Sequence, residues 1–379
     1  GYRTLLDRLI DALKRVEGAY SLICLTTEGM IACRDPLGIR PLVMGKLGDT
    51  IIFASETVAL DIVGAEFIRS VEPGELVVVH GSEIHSHKPF IPVSQRPCIF
   101  EHVYFSRPDS IVEGISVYSV RKAIGAELAR ENGVDVDYVI PVPDSGTPAA
   151  IGYAEAAKIP FELGIIRSHY VGRTFIQPGD GVRHLGVKLK HNANRNLVAG
   201  KKIVLIDDSI VRGTTLEKSI LKLLDKLSPK KIVIVSSAPQ IRYPDCYGID
   251  MSKMKEFVAF RAALALLQER GLENILDEVN LRCLNALENG TATEENFVKA
   301  IYAPFTDEEI SNKIAEIVRP KGLKAELSIV YQTVENLNKA CPDHLGDWYF
   351  TGNFPTPGGN QVVNKAFVNF MKGIEVRAY

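Results

Sequence analysis

The sequence is poor in cysteine, has a single tryptophan, carries no excess of charge of either sign and contains no long apolar run. Each shortage removes a class of protein. Six widely spaced cysteines in 379 residues do not form the disulfide framework of a small secreted domain, and they fit a reducing compartment. The 44 Lys and Arg stand against 46 Asp and Glu, a formal charge of −2, so no global basic field marks a nucleic-acid binder. No apolar stretch approaches the roughly 18 residues that a membrane helix needs. The opening GYRTLLDRLIDALKRVEGAY carries charges throughout and does not read as a signal peptide. Internal repeats and low-complexity tracts are missing, and so is a methionine at position 1. With 46% hydrophobic and 24% charged residues, the composition matches folded globular chains. The expectation is a soluble, cytoplasmic protein of about two or three domains.

What is present falls into three rhythms. Leu5, Leu6, Leu9, Ile10 and Leu13 lie at helical spacing. Short β-type runs follow (YSLICLT, MIACRD, PLVMGK, TIIFAS, ELVVVH), which predicts antiparallel layers over residues 1–90. From about residue 115, strands (DYVIPVP, FELGIIR, KKIVLIDD, KIVIVSSA) alternate with helical stretches. That pattern predicts a parallel sheet with helices on both faces, in an α/β domain over residues 91–260. Residues 261–379 read as a helical extension packing on that domain. Thr306 and Glu309 have capping-box spacing, and Trp348, Tyr349 and Phe350 suit packing of the tail.

The chemistry concentrates in KIVLIDDSIVRGTTLEKSI, residues 202–220. An apolar strand ends in Asp207 and Asp208, a turn follows, and then a helix begins. Backbone N–H groups at a helix start form an anion site, here flanked by the Thr214 and Thr215 hydroxyls. Two carboxylates directly upstream do not suit a bare phosphate. They suit the hydroxyls of a phosphorylated sugar, or a magnesium ion with its waters. A surface turn capped by Asp and Thr is the bland reading, and the full string DDSIVRGTT is too specific for it.

This string resembles the phosphoribosyl pyrophosphate (PRPP) motif of type I phosphoribosyltransferases. The resemblance implies that Asp207 and Asp208 meet the ribose and magnesium. It also implies that Ser209, Ile210, Val211, Arg212, Gly213, Thr214 and Thr215 cradle the 5′-phosphate. In VIPVPDSGTPAAIGYA, Ser145, Gly146 and Thr147 form a turn that exposes amide donors for a second anion. By resemblance it is the pyrophosphate loop, with Ser145 also at the metal. Residues 170–195, YVGRTFIQPGDGVRHLGVKLKHNANR, are basic and Gly-rich, as suits a lid that excludes water and neutralises a departing pyrophosphate.

YVGRTFIQPG resembles the catalytic loop of the glutamine PRPP amidotransferase family, and Tyr170, Arg173 and Lys190 match its loop positions as catalytic residues. His169 and His191 depart from the expected Arg and Leu. GAYSLICL, ACRDPLGIRPLVMGK and FASETVAL resemble the later strands of that family's N-terminal-nucleophile glutaminase domain, and PCIFEHVYFSRPDS resembles its connector. The resemblance implies the purine-synthesis step in which ammonia displaces pyrophosphate from PRPP to give 5-phosphoribosylamine. It further implies magnesium, inhibition by purine nucleotides and a homotetramer. Residue 1 is Gly and no cysteine precedes Cys24, so the chain is expected to be N-terminally truncated. It should use ammonia without extracting it from glutamine. Exposed sheet edges favouring aggregation are a corollary.

Some family members hold an iron–sulfur cluster on four cysteines. Here Cys98, Cys246, Cys341 and His344 offer at most a Cys3His set for such a cluster or for zinc. Buried or incidental thiols are the favoured alternative. Cys24, Cys33 and Cys283 read as core residues. His80, His85, His87, His102 and His184 show no metal or base spacing and read as loop or surface residues. Two other readings share the PRPP loop. A PRPP-binding regulator would need a DNA-binding module, and a salvage phosphoribosyltransferase would lack the glutaminase-like strands.

Overall fold

A computed structural model describes residues 3–168, 191–249, 251–342 and 344–378. The N-terminal third is four layers deep. Helix α1 (Leu5–Leu13) opens with a full capping box between Thr4 and Asp7. It lays Leu6, Leu9, Ile10 and Leu13 on Tyr20, Ile31, Cys33 and Leu76. Ile31, Cys33 and Leu76 belong to an antiparallel sheet of β1 (Ser21–Thr26), β2 (Gly29–Arg34), β6 (Leu76–His80) and β7 (Glu83–His87), in the order β1-β2-β6-β7. Ala32, Val77 and Val79 from its other face meet Met44, Ile51 and Phe53. These come from a second antiparallel sheet, β4 (Thr50–Ala54), β3 (Val43–Leu47) and β5 (Glu66–Ser70). Helix α2 (Thr57–Val63) closes the stack with Leu60 on Val43. Period-two alternation put one face of each strand into a shared interior, so the antiparallel layers expected from the sequence are present.

After β7 the chain has no regular structure until Cys98, and the connector then forms one π-helical turn, Glu101–Phe105. A two-residue ribbon follows, β8 (Ile111–Val112) and β9 (Ile115–Ser116), and then helix α3 (Val117–Glu131). The second half is built on a parallel sheet in the order β10-β13-β14-β15. Its strands are β10 (Tyr138–Pro141), β13 (Lys202–Asp207), β14 (Lys231–Ser236) and β15 (Glu326–Tyr331). Ile203 to Ile206 and Ile232 to Val235 are buried without alternation, as strands covered on both faces require. Helix α4 (Thr147–Ala157) packs closely on α3.

Two features depart from the sequence reading. The run FELGIIR supplies β11 (Ile165–Arg167), which does not extend the parallel sheet. It pairs antiparallel with β12 (His191–Ala193), and the start of the run meets the main sheet through an isolated Val139–Phe161 bridge. The C-terminal region is helical, as expected, but it also returns β15 to the sheet beside β14, with Lys231 opposite Glu326 and Ser236 opposite Tyr331. A Ser-Ile-Val-Tyr run between helices has no local signal of its partner, and only pairing with β14 makes it a strand. The aromatic tail packs as expected: Trp348, Tyr349 and Phe350 are buried, with Trp348 edge-on to Tyr247 and Tyr349 edge-on to Phe100. Cys33 and Cys283 are buried in the interior, and Cys24 is half-buried on β1. No helix among the described residues is long and apolar enough to cross a membrane.

Candidate functional site

The site stands at the carboxyl ends of β10 and β13, where open parallel sheets leave a crevice for ligands. Register places Ile140 beside Leu205 and Pro141 beside Ile206, so the two following turns emerge next to each other. Behind β13, the Asp207 and Asp208 carbonyls accept hydrogen bonds from the N–H groups of Ser237 and Ala238, both at 2.9 Å. That fixes the acid pair to the end of β14.

Asp207 is half-buried and Asp208 is buried. The Asp208 N–H donates to Asp207 Oδ1 at 2.9 Å, and Ser209 Oγ donates to Asp208 Oδ1 at 2.6 Å. Ser145 from the neighbouring turn stands close enough to the Asp208 carboxylate to favour its charged form. Removal from water, followed by the charge of Asp208, pushes the Asp207 carboxyl well above the usual range. Desolvation raises Asp208 too, against the opposing pull of Ser145, Ser209 and Arg121. Two adjacent carboxyls both resisting ionisation form a site short of positive charge, and a cation would restore both to the carboxylate form. The donors are all oxygen, from carboxylates and serine hydroxyls, which fits a hard ion such as magnesium and not a thiophilic one.

The turn after the acids is anchored from below. Ile210 and Gly213 are buried, while Arg212, Thr214 and Thr215 are exposed. Val211 O accepts from Val258 N at 2.8 Å, and Arg212 O accepts from Arg261 Nη2 at 2.7 Å. Arg212 pairs with Glu256 at 2.5 Å, so its charge is partly spoken for. Gly213 sits at φ +73°, and a Cβ there would meet Val318 Cγ1 at 2.7 Å, so glycine is required for both conformation and space. The helical run that follows opens with π-helical Leu216–Ile220 before α-helical Leu221–Asp225. Gly146 has an ordinary right-handed conformation, but a Cβ on it would stand 2.3 Å from Ile206 O. Only glycine lets this turn approach the end of β13. Ser145 and Thr147, on either side of it, are half-exposed.

The structure therefore places the turn of Ser145, Gly146 and Thr147 beside the turn that begins at Asp207, at the adjoining carboxyl ends of β10 and β13. Tyr170, Arg173 and Lys190 lie outside the described residues. Sequence reasoning missed Arg121. It is buried on the inner stripe of α3 with Val117, Val120, Ile124 and Leu128, donates to His102 O and Ser106 O at 2.7 Å each, and faces Asp208 with its charge. The signal was available: Arg121 falls in phase with that apolar stripe. A separate cleft of about 400 Å³, lined by residues including Gln240, Arg242, Asp307 and Ser311, holds none of the residues of the two turns. Its Arg242 and Asp307 side chains are paired with each other.

The expected cysteine set is corrected by the geometry. The donor atoms within 4.8 Å of one another belong to His102, Cys341 and His344, all buried, and Cys98 and Cys246 are not among them. Cys98 Sγ instead lies 3.2 Å from the Tyr349 hydroxyl. Four thiolates for an iron–sulfur cluster do not converge among the described residues, so the chain's donors do not fit that group. His102, read from spacing as a loop or surface residue, is fully buried. A single histidine in a connector shows no period, and its partners lie far along the chain. Burial lowers the His102 and His344 imidazoles to about 4 and about 3, and raises the Cys341 thiol to about 12.

Comparison with known proteins follows the same division. A glutamine amidotransferase domain model matches residues 2–61, and a phosphoribosyl transferase domain model matches residues 117–259. Amidophosphoribosyltransferase of Rhizobium etli is 53% identical over 258 residues, covering 67% of this chain and 52% of that protein. The Bacillus subtilis enzyme is 40% identical over 315 residues, 83% of this chain and 63% of that protein. The chain thus spans little more than half the length of the curated relatives it matches. The solved structure of glutamine PRPP amidotransferase from B. subtilis, complexed with ADP and GMP, is 36% identical and superposes with a TM-score of 0.71. That match covers 94% of this chain and 68% of that one. A second structure, described as the allosteric regulatory enzyme of purine biosynthesis, gives a TM-score of 0.72 at the same identity, over 94% of this chain and 66% of that one. With its sequence and its fold both shared with these proteins, the chain belongs to the amidophosphoribosyltransferase family.

Proposed function

We propose that this chain transfers ammonia to C1 of PRPP, giving 5-phosphoribosylamine and pyrophosphate. The observation that carries the proposal is the parallel register of β10 on β13, Pro141 beside Ile206, which sets the pyrophosphate-type turn next to the paired acids of the ribose-phosphate turn. One ligand with two phosphate ends and a sugar between them matches that arrangement. Asp207 and Asp208 hold the ribose hydroxyls. The N–H groups and hydroxyls of residues 209–215 hold the 5′-phosphate, and Ser145 to Thr147 hold the pyrophosphate. Magnesium, bound through Asp207, Asp208 and Ser145, supplies charge neutralisation for the pyrophosphate.

The nitrogen lone pair forms the bond to C1 as the C1–O bond breaks, with its electron pair leaving on pyrophosphate, and the ammonia nitrogen then sheds a proton. Positioning and charge stabilisation suffice, since ammonia is already nucleophilic. Tyr170, Arg173 and Lys190 are assigned to closing the site. Purine nucleotides as inhibitors, and a homotetrameric assembly, belong to the same proposal. In the intact enzyme that ammonia comes from glutamine. Cys33 is buried with its thiol raised to about 11, and Cys24 stands mid-strand on β1, so neither suits the attack on a glutamine amide.

The test is pyrophosphate release from PRPP and magnesium, with ammonium or glutamine as donor. Release with ammonium, lost in Asp207→Asn and Asp208→Asn, is expected. Normal rates in those variants remove the site assignment, and equal activity with glutamine overturns the choice of donor.

A further inference from the structure

Outside the PRPP crevice, one cluster of side chains has its chemistry unaccounted for. His102 lies in the π-helical turn of the connector, Cys341 caps the helix Val334–Ala340, and His344 follows three residues later. The two imidazoles meet edge to face with centroids 5.2 Å apart. All four of their ring nitrogens are buried and none has a hydrogen-bond partner. A neutral imidazole carries one N–H and one lone pair, and proteins rarely leave both unused in the interior, let alone on two touching rings. One nitrogen of each ring and the Cys341 sulfur all lie within 4.8 Å of one another.

We propose that His102, Cys341 and His344 bind one zinc(II) ion, a His2Cys site that staples the connector to the C-terminal tail. Two imidazoles and a thiolate are the borderline-soft donors zinc prefers, and three protein ligands leave a fourth tetrahedral position open. Typical zinc–nitrogen and zinc–sulfur bonds set donors about 3.3–3.6 Å apart, so donors that already lie within 4.8 Å of one another need to close by at most about 1.5 Å. Binding converts the Cys341 thiol to thiolate, and its proton leaves to solvent. Each ring gives the metal one lone pair and keeps one N–H. The location suits a structural ion. Ile99 N–H already donates to Gly346 O at 3.1 Å, and Cys98 bridges to Gly346, so the metal would close a contact that the backbone has begun. The His102 carbonyl also receives Arg121, whose charge faces Asp208, so the staple sits one side chain behind the acid pair. The four-residue set suggested by the cysteine spacing would need Cys98 and Cys246, which the geometry leaves out.

The test needs no enzymatic activity. The full chain, purified without a histidine tag or chelator, is analysed for zinc, copper and iron, then stripped and titrated with cobalt(II). One zinc per chain is expected. Cobalt should give a thiolate charge-transfer band and the intense visible bands of a tetrahedral site. Both should vanish in Cys341→Ser and His102→Gln, and persist in Cys98→Ser and Cys246→Ser. Should the losing variants fail to fold, His344→Cys decides: it keeps the stoichiometry and shifts the cobalt bands as a second thiolate enters. Metal far below one per chain, iron–sulfur absorption, loss of metal in Cys98→Ser or Cys246→Ser, or an unshifted His344→Cys spectrum overturns the proposal.

Discussion

Replacing Gly146 by alanine tests the geometric core of the site directly. Its backbone conformation, φ −75° and ψ −9°, suits any residue, so the substitution introduces no dihedral strain. The effect comes from space alone. The new Cβ would stand 2.3 Å from Ile206 O and 3.1 Å from Val142 O. Carbon and oxygen settle at about 3.3 Å or more, so the turn must retreat from the end of β13 by about 1 Å. Overpacking of this kind costs roughly 1–3 kcal/mol of stability. A displacement of about 1 Å in a positioning group costs on the order of 100-fold in rate. Both should appear: a lowered denaturation midpoint, and a collapse of kcat/KM for PRPP in the ammonium-dependent release of pyrophosphate. Gly133→Ala is the matched control, because nothing lies within 4 Å of its Cβ position and its φ is not in the left-handed range. If Gly146→Ala keeps both midpoint and kcat/KM at the level of Gly133→Ala, the close approach of the two turns is not what builds the site.

The remaining expectations concern the scaffold. Arg34, 1% exposed, donates to the carbonyls of Arg40, Val71 and Gly38 at 2.7, 2.9 and 2.9 Å and pairs with Glu113 at 2.5 Å. Arg34→Met strands those acceptors and should cost about 3–5 kcal/mol in urea denaturation, and a loss under about 1 kcal/mol would refute the pairing as a structural bond. Thr306→Ala removes the observed capping box at the start of Asp307–Val318 and should cost about 1 kcal/mol by the same measurement. Strand β1 is an outer strand with Leu25 87% exposed, so Leu25→Lys should reduce self-association in light scattering while stability stays within about 0.5 kcal/mol. Unchanged scattering would show that this edge does not drive association.

The sequence by itself determined what is local along the chain. Strand β13, its two terminal acids, the left-handed Gly213 and the hydroxyls after it occupy consecutive positions, so DDSIVRGTT carries its own geometry. The Thr306 capping box was legible for the same reason, and so were the antiparallel runs of the first ninety residues, whose alternation reports one buried face. Tertiary structure decided everything that depends on which segment returns to which. The pairing of β10 with β13 brought Ser145 to Asp208, and an apolar stripe on α3 carried Arg121 beneath them. β15 became a strand only because β14 offered an open edge, and β11 left the parallel sheet because β12 offered an antiparallel one. His102 had no neighbours to announce it until the tail delivered Cys341 and His344. Spacing reads a period of two or of 3.6 residues, and it is blind to contacts made when the chain comes back after two hundred residues. The scarce cysteines carry the same lesson. Their low number excluded a disulfide framework from the sequence alone, but which of them stands beside two histidines was decided by the fold.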